Sequence, residues 1–223
     1  MGVETARLPP LSLRRHDEDA VPDGGRLPVL PALRELLPGG LRRGTVVAVG
    51  SWGLLCLAVA AGASAAGAWC ADVGLPQLGV AAAAAAGLDP GRMLLVPDPG
   101  ACWPQVVASL LDGCELVFIR SPGQPSAQVR TRLAATLRRC GGVLVVAGGW
   151  DGAQARLLVA RQEWVGIGTG HGRLGARRVQ VVADGRGAAA RSRARWLWLP
   201  GPDGSVSTAG QAITSARDMR NTG

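Results

Sequence analysis

The chain has 223 residues, 33 of them glycine, and a formal charge of +8. That length supports one domain of ordinary size with a real core. All 24 basic residues are arginine, which excludes any phosphate-loop lysine.

Charge is unevenly spread. Residues 1–119 carry 8 arginines against 11 acids, and residues 120–223 carry 16 against 5. A basic half points to an acidic partner surface, nucleic acid or protein, or to a solvated face. Cys56, Cys70, Cys102, Cys114 and Cys140 show no C-x-x-C spacing, and only His16 and His171 could join them on a metal. Buried free thiols in a reducing, cytoplasmic compartment are expected, with no metal site.

In chain order, residues 1–26 are rich in proline and mixed charge and read as a flexible leader. Leu30, Leu33, Leu36 and Leu37 lie at helical spacing, predicting a short helix over Leu27–Leu37 that Pro38-Gly39-Gly40 ends. Thr45–Val49 is a β-branched apolar run suited to a buried parallel strand. Gly50-Ser51-Trp52-Gly53 is a turn, and Gly53–Ala66 a helix of small residues. No charge occurs from 44 to 71. The glycines interrupt that run, so a buried strand and helix explain it better than a membrane span.

Strands are predicted over Ala68–Val73, Met93–Val96, Leu116–Ile119 and Val143–Ala147. Helices are predicted over Gln77–Ala86, Trp103–Asp112 and Ser126–Arg139, the last with Val129, Leu133 and Leu137 toward the sheet. A shorter helix is expected near Ala153–Arg161, then a strand at Trp164–Ile167. Val179–Val182 and Trp196–Leu199 read as late strands paired antiparallel at one edge. Residues 201–223 lose apolar periodicity and read as a flexible tail.

This alternation predicts an α/β fold with a mostly parallel sheet flanked by helices. A ligand would sit at the carboxyl ends of the strands. Gly50–Gly53, Val73-Gly74, Pro97–Gly100 and Arg120-Ser121 share that rim.

The run from Leu33 to Val47, with its Leu36-Leu37-Pro38-Gly39-Gly40-Leu41 turn, resembles the lead-in to the RecA ATPase core. Val96-Pro97-Asp98-Pro99-Gly100, a helix, then Leu116–Ile119 resemble its later strand, turn, helix and Walker B strand. The likeness covers roughly residues 27–185. It implies a RecA-like P-loop NTPase core over 27–200 with a degenerate nucleotide site. The phosphate-loop position is Gly50, Ser51, Trp52, Gly53, Leu54 and Leu55, without the lysine and hydroxyl that hold phosphate and Mg²⁺. Arg120 stands where a Walker B carboxylate belongs. No glutamate follows Asp72-Val73-Gly74.

A degenerate core of this kind is similar to ImuA-type proteins, in their shortened actinobacterial form. That resemblance implies a non-catalytic adaptor in damage-induced mutagenesis, with no cofactor. It also implies an ImuB-type Y-family polymerase homologue as partner, an error-prone C-family DNA polymerase reached through it, and RecA or single-stranded DNA as further contacts. Two other readings stay open: an active RecA-like DNA-dependent ATPase, and a single-stranded DNA-binding module. The contact surface is expected at Arg173, Arg177, Arg178, Arg186, Arg191, Arg193 and Arg195 with Trp196 and Trp198. Arginines beside aromatics suit phosphate contact and base stacking, or a protein hot spot. Core packing of the two tryptophans, two apart on a strand, is the plainer alternative.

Overall fold

The computed structural model describes residues 25–51, 53–74, 79–120, 123–165, 175–186 and 191–210. All of the expected leader except Gly25 and Arg26 lies outside these, as do residues 211–223 of the expected tail.

The protein is an α/β structure with a large, mostly parallel sheet. A small ribbon pairs β1 (Arg26–Leu27) with β2 (Leu41–Arg42). The parallel part of the large sheet comprises β3 (Thr45–Val49), β4 (Cys70–Val73), β5 (Met93–Val96), β6 (Leu116–Arg120) and β7 (Val143–Ala147). Its helices are α1 (Leu54–Ala65), α2 (Val80–Ala85), α3 (Trp103–Leu111) and α4 (Ala127–Cys140). Four further strands follow: β8 (Ala155–Val165), β9 (Ala176–Gly185), β10 (Arg193–Trp198) and β11 (Ser207–Thr208). The sheet order is β11-β10-β9-β8-β3-β7-β6-β4-β5.

From β3 the chain moves outward to β4 and β5, then returns through β6 and β7. With right-handed crossovers this puts α1 and α2 on one face and α3 and α4 on the other. The buried side chains divide in the same way. Val47, Val49, Phe118 and Val145 pack with α1. Val46, Ala48, Ile119 and Val146 pack with Val107, Leu111, Leu133 and Leu137 of α3 and α4.

Helix α1 is buried nearly all round, as its small apolar residues require. Gly62 lets the N-terminal segment lie directly on it: a Cβ there would stand 2.4 Å from the carbonyl carbon of Val29. Helix α4 is closed by local chemistry at both ends. The Ser126 hydroxyl accepts from the Val129 N–H at 3.3 Å, and Gly141, at φ 70°, takes the left-handed C-terminal position.

Three expectations change. The Leu27–Leu37 helix is only a 3₁₀ turn at Pro31–Leu33 flanked by turns, although Leu33, Leu36 and Leu37 are buried. Pro28 and Pro31 remove backbone donors, so the leucines reach the core without a regular helix. The expected helix at Ala153–Arg161 and strand at Trp164 are instead one eleven-residue strand, β8. The polar segment from 201 is drawn into the sheet, where Ser207 and Thr208 pair with Trp198 and Leu197.

The thiols are all free, but they are not all buried. Cys56, Cys70 and Cys114 are buried, Cys140 is half-buried, and Cys102 is exposed. Among the described residues no cluster of metal ligands occurs, and no helix is long and apolar enough to cross a membrane.

Candidate functional site

The carboxyl rim of the parallel sheet carries Gly50, Gly148, Arg120, Gly74 and Pro97, each just after or at the end of its strand. Gly50 is tied into the sheet. Its N–H donates to Leu157 of β8 at 2.9 Å. A Cβ on Gly50 would lie 2.5 Å from Cδ2 of Leu158, so that apolar side chain covers the residue. Leu54 and Leu55 open α1, with Leu55 buried, and the Cys56 thiol donates to the Ser51 carbonyl at 3.5 Å. Trp52 lies outside the described residues. The described turn thus presents leucines and a thiol, with no cation within it.

Burial pushes the Cys56 thiol up to about 12, so it stays protonated near neutrality. Arg120 is exposed at the end of β6, and β7 separates that strand from β3. Asp98, on the rim itself, is exposed and accepts from the Gly100 N–H at 3.2 Å, whereas Asp72, two residues before Gly74, does not face solvent. It is 1% exposed, and its Oδ1 has no hydrogen-bond partner. Burial raises its carboxyl to about 7.

The arginine-rich surface expected from sequence is largely used within the fold. Arg173 lies outside the described residues. Arg177 stacks over Trp164, 5.4 Å from the ring centre, and its Nε donates to the Leu199 carbonyl at 2.9 Å. Arg178 is buried, pairs with Glu163 at 3.3 Å and donates to the Gly210 carbonyl at 2.9 Å. Its guanidinium faces the rings of Trp196 and Trp198. Arg195 is ion-paired with Glu35. Arg193 donates to the Arg191 carbonyl at 3.2 Å, and the backbone of Arg186 exchanges hydrogen bonds with Gln154. The structure therefore brings Arg178, Trp196 and Trp198 together, and it places the exposed Arg186 and Arg191 at the end of the β9–β10 pair, with Arg193 and Arg195 following along β10. Trp196 and Trp198 are half-buried, packed on an arginine rather than on the aliphatic core.

A different surface stands out. Strand β8 pairs with β3 only over Ala155–Leu157. It then runs past the carboxyl rim, accompanied by β9 and by β10 beyond it. Every position from 158 to 165 is exposed. Leu158, Val159, Trp164 and Val165 are exposed large apolar side chains there; the others among the described residues are Val80 and Leu95. Over 158–165 no strand among the described residues pairs with the β3 side of β8. This projecting blade joins apolar side chains to an open strand edge, the two features that favour protein docking. Its sequence signal is the β-branched and aromatic content of Val159, Trp164 and Val165, offset by helix-forming neighbours.

Residues 35–152 match the MT3502 N-terminal domain. The matched span takes in β2 through β7 and stops before the blade. The chain is also 35% identical, over 164 residues, to the uncharacterized protein Rv3395c of Mycobacterium tuberculosis strain ATCC 25618 / H37Rv; the match covers 68% of this chain and 80% of that protein. On both likenesses, the chain belongs to the family defined by the MT3502 N-terminal domain.

Proposed function

We propose that this protein is a non-catalytic adaptor with a degenerate RecA-like core, serving damage-induced mutagenesis by binding an ImuB-type Y-family polymerase homologue. An error-prone C-family polymerase joins through that partner. Two things support the reading. One is the resemblance of residues 27–185 to the RecA core and to ImuA-type proteins. The other is the chemistry of the rim, where Leu54, Leu55 or Cys56 stands at the places the resemblance gives to the lysine and hydroxyl, and Arg120 at that of the metal-binding carboxylate.

The observation that carries the adaptor role is the blade, where four exposed apolar side chains share one strand with an edge that no strand among the described residues pairs. A folded chain keeps such a surface at a cost in solubility, and a partner that covers it removes that cost. Trp164, with Arg177 against its ring, is the natural anchor, since interface hot spots are enriched in tryptophan and arginine.

The test is co-purification with the ImuB-type protein. Trp164→Ala with Val159→Asp is expected to weaken the complex at least about tenfold. An unchanged complex removes the blade as the contact. DNA-stimulated phosphate release that disappears in Arg120→Ala overturns the non-catalytic reading.

A further inference from the structure

A second surface lies at the opposite, amino-terminal end of the sheet. A groove of about 460 Å³ runs between the β2–β3 turn and α4, lined by Arg42, Arg43, Arg130 and Arg138. It shares Arg42, Thr45 and Gln154 with a small neighbouring hollow that Arg26 also lines. Arg26 and Gly40 pass in turn into a third hollow, of about 280 Å³, bordered by Arg34. Four arginines thus line the groove itself, Arg26 and Arg34 border hollows beyond its Arg42 edge, and the acid lining the groove is Asp151.

The arginines divide into two kinds. Some are fixed: Arg43 donates to the Gly141 carbonyl at 3.2 Å, and Arg130 holds the Pro125 carbonyl at 2.7 Å and Asp151 at 3.6 Å. Others are available. Arg42 and Arg138 are exposed, and among the described residues their guanidiniums have neither hydrogen bond nor ion pair. The floor is closed, because Gly44, at φ 74°, brings the turn against α4, where a Cβ would touch Cα of Arg138 at 3.4 Å. Bonded cations beside exposed ones, in a groove of about 460 Å³, make an anion track.

We propose that this track binds the phosphodiester backbone of nucleic acid. The lining decides the class of ligand. Its aromatic residue, Trp150, is buried, so the track offers no platform for base stacking and no aromatic anchor of the sort a protein hot spot uses. What remains is charge, which reads phosphate and not sequence. The docking is therefore independent of base sequence, and duplex binds at least as well as single strand. The site is distinct from the blade, so adaptor and nucleic acid contacts lie at opposite ends of the sheet.

The test is fluorescence anisotropy of the full chain with a labelled 20-base-pair duplex, oligo-dT of 20 residues, and polyglutamate as an acidic-protein probe. Duplex binding is expected to fall on the order of a hundredfold between 50 and 200 mM NaCl if four phosphates are neutralised. Arg42→Glu with Arg138→Glu is expected to weaken duplex binding at least about tenfold and lower the salt slope by about 1.8. Arg120→Glu with Arg161→Glu makes the same charge change at the carboxyl end of the sheet, on two exposed side chains, and is expected to have little effect. Arg42→Gln with Arg138→Gln gives a milder form of the same loss should the charge reversal unfold the chain. No duplex binding at 50 mM NaCl, equal loss in both double variants, or polyglutamate bound more tightly than duplex would each overturn the proposal.

Discussion

The guanidinium of Arg178 lies 5.0 Å from the centre of the Trp196 ring, on a side chain only 3% exposed. Trp198 stands 5.9 Å away, and Glu163 supplies the counter-charge from β8. The register explains the cluster: Arg178 pairs with Glu163 on one side and Trp198 on the other, so all point to one face of the sheet. Arg178→Ala is expected to lower stability by about 1–3 kcal/mol, read as a fall in the urea midpoint. Arg178→Lys should recover less than half of that loss, because an ammonium cannot stack flat between two indoles.

Asp72 predicts a pH dependence. Its folded carboxyl titrates near 7, against an ordinary 3.8, because burial disfavours the anion. Between about pH 4 and 7 the folded chain keeps a proton that the unfolded chain has released, so stability declines as pH rises through that window. Asp72→Asn removes the ionisation. A gain of about 1–3 kcal/mol is expected at pH 8 and almost none at pH 4, measured by chemical denaturation at the two pH values. Equal effects at both would place the carboxyl's titration elsewhere.

Gly62 sets local propensity against packing. In an isolated helix Gly→Ala gains about 1 kcal/mol. Here the new Cβ would fall 2.4–2.6 Å from backbone atoms of Val29 and Leu30, which cannot rotate away as a side chain can. Gly62→Ala is expected to destabilise by about 2–3 kcal/mol net, seen as a lower melting temperature. A higher one would mean that the N-terminal segment can shift off α1 freely.

The thiols should sort by exposure. Burial pushes Cys70 up to about 12 and Cys114 to about 11, in line with Cys56. Native protein treated with a disulfide reagent is expected to show one fast thiol, Cys102. Cys140, half-buried and donating to the Asp112 carboxylate at 3.1 Å, should follow more slowly. The three buried thiols should react only on unfolding. Replacing Cys102 with serine abolishes the fast phase if the assignment holds.

Much of the architecture is readable from local pattern. The runs at 45–49, 116–119 and 143–147 are nearly continuous apolar stretches, the first and last bounded by glycine and the middle one by Glu115 and Arg120, as strands covered on both faces require. The four-residue steps of Leu133 and Leu137 correctly place one face of α4 on the sheet. Where local pattern fails, distant pairing decides. Ala155–Arg161 is composed of good helix formers, yet it is held as strand by β3 at one end and by β9 throughout. The candidate site shows the same division. That residues 50–55 hold neither lysine nor threonine is a matter of residue identity and is visible at once. The fate of the arginines is a matter of register. Neighbours Arg177 and Arg178 go to opposite faces, one onto Trp164 and the other beneath Trp196, and nothing local distinguishes them. Arg42 and Arg138 are separated by most of the core in sequence and meet only because α4 returns beside β3.

The hydrogen bond from Gly50 to Leu157 has a mechanical meaning. A turn that receives phosphate must leave its amides open to the ligand. This one has its first amide closed by β8, with Leu158 laid over it. Gly148 fastens the same corner from the other side through a 2.7 Å bond to Val49. The foot of the blade is thereby riveted to the middle of the sheet, as a bracket is fixed to a wall. A load applied at Trp164 is carried down β8 into the central strand and not absorbed by a loose loop.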